Sequence, residues 1–393
     1  MSYTVTTSKG SNVSTVSRQW ASRPAEQRFL DLTSLHAFSK GLADVSRDDA
    51  VTLDVAAVEP TADGGLDLLT TAGSASLGNF AFAQLSQRVR APAHYLATLP
   101  APLAASCLNT GIRAAVEKDP ARALALYSTG GVARSVLSPK YTRIFDHEIA
   151  ASVMKIAGNG TGDARWKVPG VLDWGSMKYD PDVPVSDATT TLFASDRDVF
   201  LFLVDDRHPI EVGKLPSGDP DLMFRGFYVW NSEVGARSCG LATMYLRAVC
   251  CNRNLWGVEQ FQEVTFWHLP TAKQKFVEDW EPALLAFADA GTDKLVAGVA
   301  AAKKAIVVPK TGLDQKKLDE DRVAFLRSLT FSVQAADDII AVHEKEEDGP
   351  PASLWDFAQG ITAYARDLPF QSARVHAEKL AGKLLDRVNK AVA

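Results

Sequence analysis

The sequence predicts an α+β fold: a central antiparallel or mixed β-sheet with packed helices, a helical N-terminal region and a helical C-terminal third. The order of patterns indicates this, because helical spacing of apolar residues dominates the two ends and strand-like segments dominate the middle. Regular alternation of strands and helices, the pattern of a doubly wound parallel sheet, is missing. The 393 residues, 46% of them apolar, suffice for one large core or two smaller ones.

Shifts in composition divide the chain into four predicted segments. Residues 1–22 are rich in Ser and Thr and are predicted to form a flexible arm. Residues 23–120 are predicted to form helices and a β-hairpin, 121–270 a sheet-rich domain, and 271–393 a helical region.

Local signals support the elements of the N-terminal segment. Pro24 suits the first turn of a helix, and apolar residues continue at helical spacing to about residue 42. The glycines of ADGG, residues 62–65, allow the positive φ of a tight hairpin turn. Residues 79–100 and 101–116 then read as helices punctuated by prolines.

The central segment is predicted to be mostly strands, followed by one helix. That helix begins at Glu233, with Asn231 or Ser232 as its N-cap, and runs to about Cys250. A last strand, EVTFWHL, precedes the helical third. The strands before the helix are expected at residues 123–128, 133–138, 166–172, 189–195, 199–206 and 223–230.

Charge and cysteine content exclude several classes of protein. A net charge of −5 argues against coating nucleic acid by bulk charge, although a local basic patch is compatible with it. No apolar run is long enough for a membrane span or a signal peptide, so a cytoplasmic protein is expected. The four cysteines show no C-x-x-C spacing and read as reduced thiols, Cys250 and Cys251 as buried ones.

Motifs for cofactors, metals and nucleophilic hydrolysis are missing. The sequence has no G-x-G-x-x-G after a strand, no P-loop and no G-x-S-x-G elbow. The seven histidines never occur as H-x-x-x-H or H-x-H. We therefore predict no cofactor, no metal and no catalytic residues.

Two segments carry the candidate binding residues. In residues 225–257, arginines accompany aromatics and glycines; the arginines either meet phosphates or pair with nearby acids, and the glycines permit close packing. In residues 138–148, a cationic and aromatic trio either holds a phosphodiester backbone or is solvated, and Asp146 is expected to cap a helix. The candidate nucleic-acid-binding residues are Lys140, Tyr141, Arg143, Arg225, Tyr228, Trp230, Arg237, Arg247 and Arg253.

Several words of sequence, read in order, resemble a known family. They are ARSVLSPKYTRIFD, TTLFASDRDVFLFLVDD, RGFYVWNSEVG, YLRAVCCNRNLWG and LWDFAQGITAYARDLPFQSARVHAEKLAGKLL. Together they resemble the phage- and plasmid-borne domain-of-unknown-function family 932, over roughly residues 20–385. The resemblance implies a mobile-element protein but no established activity. One departure is that residues 265–268, TFWH, stand where an Arg-His pair is expected.

These observations favour a DNA-metabolism protein that binds, or binds and anneals, single-stranded nucleic acid without catalysis, with single-stranded DNA as the expected partner. The predicted layout is similar to that of phage single-strand annealing proteins, which implies a homo-oligomer. One alternative is a metal-dependent enzyme acting on nucleic acid or nucleotides in mobile-element and host conflict, which would use Asp146, Glu148, Asp205 or Glu233. Another is a structural scaffold, with which the Ala-rich C-terminal third is equally compatible.

Overall fold

The computed structural model describes residues 23–169, 184–187, 189–215, 217–247, 253–254, 264–312, 314–347, 349–368 and 371–392. Within these ranges the protein contains two β-sheets and eleven α-helices, which confirms the predicted α+β class. The predicted N-terminal arm lies outside the described residues.

The N-terminal sheet has six strands in the order β2-β6-β7-β5-β4-β3 among the described residues. All of its pairings are antiparallel except β5 with β7. Its strands are β2 (Ser46–Thr52), β3 (Ala57–Pro60), β4 (Leu66–Thr70), β5 (Gly73–Leu77), β6 (Ala123–Thr129) and β7 (Val132–Leu137).

The central sheet is antiparallel throughout, in the order β1-β8-β9-β10-β11-β12, with β13 also pairing with β11. Its strands are β1 (Arg28–Phe29), β8 (Leu192–Ala194), β9 (Val199–Lys214), β10 (Pro220–Asn231), β11 (Cys239–Arg247), β12 (Arg253–Asn254) and β13 (Val264–Phe266).

The helices form three groups along the chain. Five precede or follow the N-terminal sheet strands: α1 (Leu32–Asp44), α2 (Asn79–Arg88), α3 (Ala93–Leu96), α4 (Ala101–Lys118) and α5 (Asp146–Ala157). Two follow β13: α6 (Ala272–Asp289) and α7 (Asp293–Lys304). Four complete the predicted helical third: α8 (Gln315–Ser328), α9 (Val333–Glu346), α10 (Leu354–Asp367) and α11 (Gln371–Val392).

Each sheet buries an apolar face against helices. The N-terminal sheet packs on α2 and α4, with Leu85 and Leu108 at the contact. One face of the central sheet contributes Leu203 and Phe227 to a core shared with α1, α5 and the C-terminal helices. Residues of the opposite face, including Phe202, form a third apolar cluster. Both faces of the central sheet are therefore buried.

Local signals placed several elements correctly. The ADGG turn joins β3 to β4, with Gly64 at φ +84°. Residues 101–116 lie within α4, and the strands predicted at 123–128 and 133–138 correspond to β6 and β7.

The first helix begins later than predicted. Residues 25–27 form a short 3-10 turn, and β1 follows it, pairing with β8. Asp31 is the N-cap of α1 and accepts a hydrogen bond of 2.7 Å from the backbone N–H of Ser34. A carboxylate that satisfies a free N–H at a helix start is a stronger signal than proline at the first turn.

The predicted helix from Glu233 to Cys250 is wrong. Residues 239–247 form β11, which pairs with β10 over eight residues. All nine residues of β11 are buried, so the segment lacks the alternation of polar and apolar residues by which a strand is usually identified. Gly235, at φ +77°, lies in the turn between the two strands.

The predicted boundary between residues 120 and 121 falls within the N-terminal sheet. β6 lies beyond the boundary and pairs along its whole length with β2, which precedes it. Residues 123–137 thus belong to the first sheet by pairing, although the sequence groups them with the central strands.

Candidate functional site

A buried polar cluster, here called the Glu233 junction, brings the two candidate segments together. It joins the N-terminal sheet to the loop that follows β10. Its members are Tyr127, Arg134, Arg143, Asp146, Asn231 and Glu233, all of them buried.

The Glu233 carboxylate is 2% exposed and lies at the centre of the junction. Its Oε2 accepts a hydrogen bond of 2.9 Å from the Tyr127 hydroxyl and lies 3.4 Å from Arg134 Nη1. Its Oε1 accepts a hydrogen bond of 2.8 Å from the backbone N–H of Asp146. A buried carboxylate requires such partners, so Glu233 serves as a link between the two sheets.

Arg143 and Tyr141 attach the 138–148 segment to the same loop. Arg143 donates to Asp48 Oδ2 at 2.9 Å and to the Glu233 carbonyl, and its guanidinium lies 3.6 Å from the Tyr127 ring centre. Tyr141 donates a hydrogen bond of 2.7 Å to the Ser232 carbonyl. Both side chains are thus committed to contacts inside the protein.

Burial controls the ionisation of the junction. It raises the pKa of Asp146, and the neighbouring Glu233 charge raises it further, while the Asn231 amide donates to Asp146 Oδ1 at 2.7 Å. Burial and Glu233 also raise the pKa of Tyr127 to about 12. Asp146 is the first residue of α5 rather than its N-cap, a position that Phe145 occupies. The expected capping role of Asp146 is therefore replaced by contacts with Asn231 and Glu233.

The predicted arginines of the 225–257 segment lie in separate places. Arg225 donates to the Ala290 carbonyl at 2.5 Å. Arg237 Nε lies 3.8 Å from Asp198, a carboxylate that also accepts two hydrogen bonds of 2.8 Å from Arg23. Although burial opposes it, these two guanidinium groups lower the pKa of Asp198.

Arg247 and Arg253 lie in β11 and β12, the last two strands in the order of the central sheet. Arg247 Nε and Nη2 contact the Asp221 carboxylate at 2.8 and 3.2 Å, and Nη1 contacts Glu347. Lys303 reaches the same Asp221 carboxylate at 2.9 Å. Arg253 lies in β12, opposite Leu246 of β11.

Tyr228 and Trp230 belong to the apolar cluster on the second face of the central sheet. Tyr228 stacks on Phe200 with 5.6 Å between ring centres and lies 5.3 Å from Trp230. The Trp230 ring covers Gly240 of β11, its cross-strand partner. The aromatics therefore pack within the sheet.

Among the predicted binding residues whose side chains the structure describes, Lys140 is the exposed one. The arginines of the 225–247 stretch contact carboxylates or carbonyls inside the protein. These contacts agree with the interpretation in which the arginines pair within the fold, rather than with the one in which they meet phosphates. Sequence spacing could not identify those partners, because Asp221 and Glu347 lie 26 and 100 residues from Arg247.

The carboxylates considered for a metal site are divided between two places. Asp146 and Glu233 meet at the junction, whereas Asp205 accepts from Arg165 at 2.8 Å and contacts His208 at 2.8 Å. The described residues contain no cluster of three or more His, Cys, Asp or Glu side chains suited to a metal ion.

Another part of the chain contains a long stretch without acidic residues that was not singled out from the sequence. Between Asp67 and Glu117 the sequence contains no acidic residue, although the whole chain has 47 Asp and Glu. This stretch includes α2, α3 and most of α4. The long gap between acids is visible in the sequence and could have identified the segment.

Arg88, within this stretch, lies near Arg122, which follows the stretch and directly precedes β6. Burial lowers the pKa of Arg88, at the end of α2, and the charge of Arg122 lowers it further. Neither guanidinium has an ion-pair partner within the described part of the chain. Arg90 is exposed just beyond α2, and Tyr95 of α3 is 60% exposed. We call the region of Arg88, Arg90, Tyr95 and Arg122 the basic helical face; Arg88 and Tyr95 lie in α2 and α3, and Arg90 and Arg122 lie in connecting segments.

Comparisons with known proteins give no relatives: no family model, no curated protein and no solved structure matches this chain. Across the described ranges, no helix combines the length and apolar character needed to cross a bilayer.

Proposed function

We propose that the protein binds single-stranded DNA without catalysis, and that the basic helical face is the surface it uses. The observation that carries this proposal is that Arg88 is partly buried near a second arginine, Arg122, whose like charge adds to the effect of burial in lowering its pKa, so that a phosphate would relieve the repulsion between them. This keeps the function that the sequence favours and assigns it to different residues.

The local charge of the surface supports the proposal. Nucleic-acid binding requires a basic patch rather than a basic protein, and acids on the same surface weaken it. The net charge of −5 belongs to the whole chain, whereas the stretch between Asp67 and Glu117 carries only basic charges. Around Arg88, Arg90 and Tyr95 the chain therefore contributes no acid of its own, whereas Arg122 lies beyond the exposed Glu117 and Asp119.

Tyr95 supplies the second requirement of single-strand binding. Tyr95 is 60% exposed and lies in α3, the helix that follows Arg90 in the chain. Stacking of a base on an aromatic ring contributes about 1–3 kcal/mol and tolerates any base. Two phosphate-binding arginines with a stacking ring would give binding that depends on salt more than on sequence.

Fluorescence anisotropy with a labelled oligo(dT), over a series of salt concentrations, tests this function. We expect R88Q/R122Q to weaken binding and to reduce the slope of log K against log salt by about 0.7 for each phosphate that the variant no longer neutralises. We expect Y95A to weaken binding by about 1–3 kcal/mol with an unchanged salt slope.

The matched control is R207Q, because Arg207 is an exposed arginine on β9, paired with Asp163 at 2.6 Å. It should bind as the wild type does. If the wild-type protein gives no anisotropy change at low salt, or if R207Q weakens binding as much as R88Q/R122Q, the proposal fails.

The same samples distinguish the alternatives. Shortened or modified DNA after incubation with Mg²⁺ or Mn²⁺ would favour a metal-dependent enzyme, and an inert protein would favour a scaffold. A homo-oligomer in the cytoplasm, encoded by a phage- or plasmid-like element, remains part of the proposal. Sedimentation with and without DNA would measure the oligomeric state.

A further inference from the structure

A cavity of about 230 Å³ lies beside the Glu233 junction, between the two sheets' connecting loops. Its apolar wall comes from the end of α1, the start of α2 and the β6–β7 hairpin. Its polar wall comes from two arginines, Asp196 and a threonine. The residues used below are Gly78, Asn79, Thr129, Arg134, Asp196 and Arg197.

Arg197 is a buried cation at this cavity whose charge is poorly matched. Its side chain is only 8% exposed, and its buried Nη1 makes no hydrogen bond in the described structure. Its nearest carboxylate is that of Asp196, 3.8 Å from Nε and itself partly exposed. A buried guanidinium without a close partner is costly, so this position favours an added anion.

The start of α2 provides a second, independent attraction for anions. Gly78 is the N-cap residue and has no side chain to accept the first N–H groups of the ten-residue helix. Those N–H groups and the helix dipole favour negative charge at this end. Both Gly78 and Asn79 line the cavity, so the helix start and Arg197 border one space.

Arg134 fixes the loop that carries Arg197. Its Nε donates to the Asp196 carbonyl at 2.8 Å, and its Nη2 donates to the same oxygen. Its Nη1 lies 3.3 Å from the Thr129 hydroxyl and 3.4 Å from Glu233. Arg134, a member of the Glu233 junction, therefore holds the backbone next to Arg197 in place.

We propose that this cavity is a binding site for a phosphate-type oxoanion. Its volume lies below the roughly 300–1,000 Å³ of common ligand pockets, which suits a phosphate group rather than a whole nucleotide. Glu233 balances the charge of Arg134, so the attraction for an anion comes from Arg197, whose partner Asp196 is distant and partly exposed, and from the start of α2. This site is independent of the basic helical face and of DNA binding.

Thermal unfolding in increasing inorganic phosphate, at constant ionic strength, tests the site. The wild-type protein should gain stability in a saturable manner, because a ligand that binds the folded state stabilises it. R197M should abolish this gain and should itself melt no lower than the wild type without phosphate, since it removes a buried unmatched charge. A variant at least as stable as the wild type cannot have lost binding by misfolding.

D196N should have the opposite effect to R197M on phosphate binding. Removing the carboxylate that competes for Arg197 should lower the Kd for phosphate by roughly tenfold. R207Q changes an exposed arginine that does not line the cavity, and it should leave the phosphate response unchanged. Glycerol 3-phosphate in a parallel titration distinguishes a phosphomonoester, which would bind more tightly, from the free ion.

Absence of a saturable shift with both inorganic phosphate and glycerol 3-phosphate would overturn the proposal. A full response retained in R197M would also overturn it. Neither result bears on DNA binding, which is measured by anisotropy with variants of other residues.

Discussion

At the scale of single residues, buried arginines connect segments that lie far apart in the sequence. Arg143 reaches Asp48 and the Glu233 backbone, and Arg23 reaches Asp198 across 175 residues. Removing one partner of the buried Arg23–Asp198 pair costs about 3–5 kcal/mol, because the other charge is left without compensation; the Arg143–Asp48 pair contributes less, since Asp48 is 44% exposed. These arginines therefore contribute to the specific arrangement of the chain.

The sequence could predict that such arginines have specific partners, but it could not identify those partners. Arginine spacing in the 225–257 segment is equally compatible with phosphate and carboxylate partners. The partners of Arg247 and Arg237 are acids on other strands and helices, and only the folded topology brings them near. Arg88 and Arg122 show the converse, because two like charges, one at the end of α2 and one just before β6, come near each other only in the folded chain.

Asp146 leads to a prediction about pH. Its pKa is raised above the ordinary value of 3.8, first by burial and then by Glu233. From that value up to the raised pKa, the folded chain keeps a proton that the unfolded chain has released. Stability should therefore fall as the pH rises through this window, with a slope of up to about 1.4 kcal/mol per pH unit.

D146N should remove most of this slope, as measured by urea unfolding at a series of pH values. The control is D163N, because the Asp163 carboxylate is fully exposed beside Arg207 and its charge stays in water. Equal slopes for D146N and the wild type would show that Asp146 is not the group that titrates.

At the scale of elements, strands buried on both faces were the hardest to identify. The hairpin of β3 and β4 was predictable because its turn residues have specific backbone requirements. β11 was not, because CGLATMYLR is apolar on both faces and contains residues compatible with a helix. Gly240 is an unfavourable residue for a helix. The sheet explains its presence, because Gly240 faces the Trp230 ring.

Gly240 gives the prediction for this scale. A Cβ at this position would lie 2.2 Å from Trp230 Cζ2, so G240A must displace the ring. We expect a loss of about 1–3 kcal/mol in the free energy of unfolding, the usual cost of overpacking. G41A is the control, because Gly41 lies in α1 with no atom within 4 Å of its added Cβ, and alanine is the better helix residue.

A double variant checks the cause of the destabilisation. W230F in the G240A background should recover part of the stability, giving a coupling energy between the two positions. Additive effects of the two substitutions, measured by urea unfolding, would show that the ring contact is not responsible.

At the scale of the whole molecule, the distribution of charge matters more than its sum. The net charge of −5 argues against a protein that coats nucleic acid by bulk charge, but it is compatible with a local basic surface. The acid-free stretch includes the helices that cover the N-terminal sheet. The buried junction, in turn, joins this sheet to the central one through Glu233.

Ultraviolet cross-linking of bound oligo(dT), followed by mass spectrometry of the peptides, tests the location of DNA binding most directly. We predict cross-links at Tyr95 and in the peptides that contain Arg88, Arg90 and Arg122, and their disappearance in R88Q/R122Q but not in R207Q. Cross-links confined to the 225–257 segment, around Tyr228 and Trp230, would contradict the assignment of DNA binding to the basic helical face.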